Sequence, residues 1–153
     1  MRRISAGAAA LAVAVGVIGA GGQPATARPR AVLTAYYADL AAKDYTAACR
    51  LLSTPYIKLA ARALLASRRR KADARVAIAS PTAANCGKVI GDVVAIEKVD
   101  IAKARAVRIT SVRLAGKVAT FRLANVPGLD GGTTRLSAVV TDVHGTWVIS
   151  AFR

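Results

Sequence analysis

A chain of 153 residues has room for one domain once any targeting segment is removed. Its composition is 54% hydrophobic but only 5% aromatic, so the core must lean on Leu, Val, Ile and a few aromatic anchors; the high apolar content together with a charged fraction of only 20% points to a packed domain. Basic residues outnumber acidic ones 23 to 8, which gives a formal charge of +15 and a pI near 11.1.

The chain opens with Arg2 and Arg3, followed by an uncharged apolar run from Ile4 to Ala20. Gly21, Gly22 and Pro24 end it, and Ala25-Thr26-Ala27 is a small-x-small cleavage site. This is the pattern of a signal peptide over 1–27, cleaved after Ala27. No Cys follows the run, so no lipid anchor is expected, and the arginine pair lacks the residues of a twin-arginine signal. Sec-type export to a secreted or extracytoplasmic location is expected. The alternative is an N-terminal membrane anchor, for which the run of about 17 residues is short. Cleavage leaves 28–153 as a single domain and lowers the formal charge from +15 by two, since Arg2 and Arg3 go and no acid does.

Pro29 opens a first helix with an apolar stripe at Val32, Leu33, Tyr36, Tyr37 and Leu40. Lys43-Asp44 interrupts it, and Asp44 is suited to cap a short second helix, Tyr45 to Leu52, with Tyr45, Cys49 and Leu52 on one face. Thr54-Pro55 starts a third helix. Ile57, Ala61, Leu64 and Leu65 face inward there, while Lys58 and Arg62 face out. Ser67 to Arg75 reads as a basic helix end running into a loop. A fourth helix spans about Ala84 to Lys98, with Cys86, Val89, Ile90 and Val93 on one side. Cys49 and Cys86 are the two cysteines of the chain. An even count in an exported chain reads as one disulfide, which would staple the second predicted helix to the fourth.

After Asp100 the apolar period shifts towards two. Ala106–Leu114 and Lys117–Ala124 form a hairpin across Ala115-Gly116, with a bulge expected near Ser111, where the apolar phase slips. Asn125 to Thr133 is a turn-rich loop, and Leu136–Asp142 and Thr146–Phe152 form a second hairpin across Val143-His144-Gly145. Helices first and about four antiparallel strands afterwards define an α+β domain.

Several of these segments carry a resemblance. Tyr36-Tyr37-Ala38-Asp39-Leu40-Ala41-Ala42-Lys43-Asp44 resembles the opening helix of nuclear transport factor 2-like (cystatin-like, SnoaL-like) domains. Tyr45 to Leu52, with its Cys49 and the later Cys86, is similar to small secreted bacterial members. Val118-Ala119-Thr120-Phe121 and Gly145-Thr146-Trp147-Val148-Ile149 look like two strands of that family. The resemblance implies a curved antiparallel sheet wrapped round helices to enclose a cone-shaped pocket. It does not imply an activity, because the superfamily hosts isomerases, dehydratases, cyclases and non-catalytic partner domains.

Chemistry is sparse. The eight acids are Asp39, Asp44, Asp73, Asp92, Glu97, Asp100, Asp130 and Asp142. Asp44 reads as a cap, Asp130 and Asp142 as turn residues, Asp39 as solvent-facing, and Asp92 and Glu97 as lying on the polar face of the fourth helix. His144, the single histidine, falls in a tight turn, and Trp147 reads as packing. No nucleophile elbow, metalloprotease helix, P-loop or dinucleotide fingerprint occurs, and no catalytic residue, metal ligand or cofactor site is assigned. Tyr36 and Tyr37 are the candidate pocket ligands, as hydrogen-bond donors. The densest basic cluster, Arg68, Arg69, Arg70 and Lys71 with Arg75 close behind, is the candidate patch for an anionic partner. Further basic residues recur at Lys98, Lys103, Arg105, Arg108, Arg113, Lys117 and Arg122. Nucleic acid is disfavoured, because no aromatic residues interleave with the basic ones to form a stacking platform.

The expected function is therefore a secreted or envelope-associated, non-catalytic accessory domain. It would bind a partner protein, an anionic envelope polymer or lipid surface, or a small apolar ligand in the cone. The alternative is a small-molecule enzyme of the ketosteroid isomerase or cyclase kind, using Tyr36 or Tyr37 with an unassigned acid. Homodimerisation through the outer sheet face is left open.

Overall fold

The computed structural model describes residues 25–66, 71–128 and 131–153. The expected signal segment before Ala25, the basic residues Arg68, Arg69 and Arg70, and Asp130 lie outside the described residues.

Five α-helices come first: α1 (Ala27–Ala41), α2 (Tyr45–Arg50), α3 (Thr54–Ala66), α4 (Lys71–Ala79) and α5 (Ala83–Ile96). A 3-10 helix, Ile101–Ala106, leads into strands β1 (Arg108–Ala115), β2 (Val118–Pro127), β3 (Thr133–Val143) and β4 (Thr146–Phe152). The strands form one antiparallel sheet in the order β1-β2-β3-β4. The fold is α+β, with the helices N-terminal to the sheet and packed on one of its faces.

The helices follow local signals. Asp44 caps α2 by accepting from the Ala47 N–H at 2.9 Å, and Thr82 caps α5 through the Asn85 N–H at 3.2 Å. The α1 stripe is buried at Leu33, Tyr36, Tyr37 and Leu40 and meets the inward residues of the sheet, chiefly Phe121, Leu123, Val140 and Ile149. These alternate with solvent-facing residues along each strand, as the two-residue pleat requires. The expected bulge is present, with the β1–β2 register slipping between Ile109 and Ser111. The α2–α3 link closes one open edge of the sheet: Ser53 N–H donates to Ile149 O and Ile149 N–H to Leu51 O, both at 2.8 Å. Covering an edge this way removes a template for unwanted pairing.

Cys49 and Cys86, both buried, are joined in a disulfide between α2 and α5, with Cα atoms 5.9 Å apart. No helix among the described residues is long and apolar enough to cross a membrane.

Four expectations need correction. The stretch expected to run into a loop up to Arg75 instead enters α4 at Lys71. The buried residues of that helix are Ala74 and Ala77, so it carries no stripe of large apolar side chains for a sequence reading to detect. Asp92, expected on the polar face of its helix, is only 8% exposed and is buried like Cys86, Gly87 and Val89 of the same helix. The second helix ends at Arg50 rather than Leu52, because Leu52 leaves the helix to bridge to Ile149. The loop expected over Asn125–Thr133 is shorter, since β2 continues to Pro127 through a register shift between Leu123 and Val126.

Candidate functional site

The aromatic residues of the two layers meet at one end of the sheet. Tyr36 and Tyr37 come from α1, Tyr56 from the first turn of α3 and Phe152 from the last residue of β4. The Phe152 ring is the hub, with centroids 5.5 Å from Tyr36, 6.4 Å from Tyr37 and 5.7 Å from Tyr56. Tyr36 and Tyr37 also meet edge to face at 5.2 Å. Such tilted and T-shaped contacts suit the ring quadrupoles and hold each phenol in a defined direction. Ser53 helps to set Tyr56, its hydroxyl accepting from the Tyr56 N–H at 3.3 Å.

Two adjoining hollows lie against this cluster. The first, about 270 Å³, sits between Tyr36, Tyr37 and Tyr56, the α5 residues Ile90, Val93 and Val94, and the sheet end at Val126, Leu136 and Phe152. The second, about 200 Å³, runs beneath α3 and is walled by Leu52, Ile57 and Val89. Tyr36, Tyr56, Ile90 and Val93 line both. Apart from the phenols, the side chains facing these hollows are apolar, and among the described residues no acid, histidine or arginine lines either one.

Burial, with Tyr37 and Tyr56 nearby, pushes the Tyr36 phenol well above the ordinary tyrosine value of 10.0. Burial is also the main cause at Tyr37, followed by Tyr56, and burial alone raises Tyr56. The phenolate would lie in an apolar setting with no cation beside it, so all three groups stay neutral. They are donors, not bases. A neutral phenol donates one hydrogen bond, and none of the three hydroxyls bonds to another protein group among the described residues. The site can therefore offer phenolic O–H donors to an acceptor group on an otherwise apolar molecule.

The other singled-out residues lie elsewhere. His144 is exposed at the β3–β4 turn, with a φ of 53°. Asp142 serves that turn, accepting from the Gly145 N–H at 2.7 Å. Trp147 packs half-buried against the core. Asp92, though buried, lines neither hollow. Of the dense basic cluster, Lys71 begins α4 and Arg75 is exposed on it, while the other members fall outside the described residues. Lys103 is engaged, donating to the Gly131 carbonyl and lying 3.7 Å from the Asp100 carboxylate. Among the described residues no group of three or more His, Cys, Asp or Glu could hold a metal ion.

Tyr36 and Tyr37, the two candidates from the sequence, are thus brought together at a cavity. Tyr56 was not among them. It sits one position before the inward stripe of α3, and only the arrival of Phe152 from the far end of the chain turns it into a wall of the same cavity. The chain matches no protein-family model, no curated protein and no solved structure.

Proposed function

We propose that this chain is an exported, non-catalytic binding domain of the nuclear transport factor 2-like type. Its ligand is a small, uncharged, largely apolar molecule carrying a carbonyl or similar acceptor. The observation that carries the reading is the set of three neutral tyrosine phenols facing an apolar cavity that no acid or histidine among the described residues lines. Apolar walls reward burial of the ligand's hydrocarbon, and the phenols fix the position of its acceptor. Helices preceding a four-stranded antiparallel sheet, with a pocket between the two layers, support the family assignment. The Cys49–Cys86 disulfide supports an oxidising, extracytoplasmic destination.

The competing enzyme reading shares the tyrosines but requires a general base within reach of the substrate. That base would have to be an acid, and none among the described residues lines the cavity.

The experiment is a fluorescence titration with a neutral, environment-sensitive naphthyl ketone. Saturable binding is expected, abolished by Val93→Trp, which fills the cavity, and weakened about fivefold by Tyr56→Phe, which removes one hydrogen bond. Binding that ignores both substitutions would remove the cavity from consideration. Turnover of an unsaturated ketosteroid that disappears in Tyr36→Phe would replace this reading with the enzyme.

A further inference from the structure

The sheet face turned away from the helices is not covered by any element among the described residues, and its arginines are not scattered. Arg122 on β2 stands opposite Ser137 on β3. Ser137 in turn is paired with Arg153 just beyond β4, by mutual backbone hydrogen bonds of 2.7 and 2.8 Å. Residues directly opposite one another project from the same face, and Arg135, two positions before Ser137, shares it. Arg122, Arg135, Arg153 and Ser137 therefore line one hollow of about 570 Å³, together with Leu123, Ala124 and Leu136. The β1 bulge adds Thr110 to its wall, with the hydroxyl donating to the Arg122 carbonyl at 3.2 Å.

Arg122 and Arg153 stand opposite Ser137 from its two sides and Arg135 is offset by two positions along β3, so three positive charges share one region of the face. Among the described residues no side-chain carboxylate of this face stands beside them; the one carboxyl oxygen there, that of Arg153 itself, accepts from the Ser137 N–H. Among the described residues no carboxylate forms an ion pair with Arg122, Arg135 or Arg153. The sheet's own acid, Asp142, is held in the β3–β4 turn by Gly145. Pairing two copies through this face would juxtapose the two arginine sets and add to the repulsion.

We propose that Arg122, Arg135 and Arg153, with the Ser137 hydroxyl, form a binding site for a phosphate group. Guanidinium groups present planar pairs of N–H donors that match oxyanions. A carboxylate has two oxygens and engages a single fork well, whereas a phosphate carries enough oxygens and charge to take all three arginines at once. The phosphate can be a free ion or the headgroup of an anionic lipid. None of the three arginines lines the tyrosine cavity, so either proposal can fail without the other.

The test uses the oxidised full chain at low salt, titrated by calorimetry with inorganic phosphate and, separately, sedimented with vesicles of phosphatidylglycerol or of phosphatidylcholine. Arg135→Gln is compared with Arg62→Gln, an exposed position on α3 that makes the same change in net charge. Arg135→Gln is expected to weaken phosphate binding about tenfold or more, and Arg62→Gln to leave it unchanged. Inorganic phosphate binding alone assigns the site to the free ion. Arg135-dependent binding to phosphatidylglycerol vesicles alone assigns it to a headgroup. No binding to either probe, or equal losses in the two variants, overturns the site and leaves only diffuse attraction to a basic protein.

Discussion

Gly87 on α5 lies directly against Thr46 on α2. A Cβ added at Gly87 would stand 2.8 Å from the Thr46 hydroxyl oxygen and 3.0 Å from its backbone nitrogen, closer than side chains tolerate. The missing side chain lets two helices approach so that Cys49 and the adjacent Cys86 can bond across them. Gly87→Ala is expected to destabilise the oxidised protein by about 1–3 kcal/mol, the usual cost of overpacking. Gly91, one turn further along α5, is the control: its added Cβ would come no nearer than 3.4 Å, to the Tyr45 ring. Gly91→Ala should instead stabilise by up to about 1 kcal/mol, because alanine is the better helix former. Urea unfolding of the two variants reads the difference in sign.

The disulfide spans 37 residues of sequence. In the chain-entropy description, closing a loop of that length stabilises by about 4 kcal/mol. The Cys49→Ala/Cys86→Ala variant should lose roughly that much in urea unfolding. A loss much smaller than this would mean that the reduced, unfolded chain is already constrained near these helices.

The tyrosines give stability a dependence on alkaline pH. Tyr36 and Tyr37 hold their protons in the fold well above the ordinary value of 10.0, chiefly through burial. Below about pH 10 the folded and unfolded chains both keep these protons, so the contribution is fully present. Above it the unfolded chain releases protons that the fold retains, and stability falls with rising pH, by up to about 1.4 kcal/mol per pH unit for each such group. Tyr36→Phe should flatten this decline relative to the parent, while the contribution of lysines, common to both, cancels. Parallel unfolding series from about pH 9 upward make the comparison; identical slopes would show that Tyr36 ionises in the fold as freely as in the unfolded chain.

The small helix α4 should be intolerant of bulk. Ala74 and Ala77 are fully buried, in one cluster with Ala61, Leu64 and Val89. Ala77→Leu is expected to cost about 1–3 kcal/mol. Val76→Ala, at a position 49% exposed next to it, should stay within about 0.5 kcal/mol of the parent. Thermal unfolding of the pair is sufficient, and an unchanged midpoint for Ala77→Leu would mean that α4 packs loosely.

Local patterns in the sequence were enough for the α+β class, the α1 stripe, the Asp44 cap, the β1 bulge and both hairpins. Each depends on periodicity or turn chemistry within a few residues. Gly116 and Gly145 act through the backbone at their own positions, Asp44 through its side chain on an amide three residues on, and Leu33, Tyr36, Tyr37 and Leu40 repeat at the helical period. The two cysteines suggested their own pairing because there was no other partner for either.

Tertiary structure alone decided the rest, because those features depend on which distant residues share a space. α4 buries alanines, so its inward face is defined by its neighbours and not by large apolar side chains. Asp92 occupies a polar-looking position in its helix, yet the fold buries it. Tyr56 joins Tyr36 and Tyr37 only where Phe152 arrives from the opposite end of the chain. Arg122, Arg135 and Arg153 are far apart in sequence and become neighbours only through the strand register, in which a one-residue slip would turn a side chain to the other face.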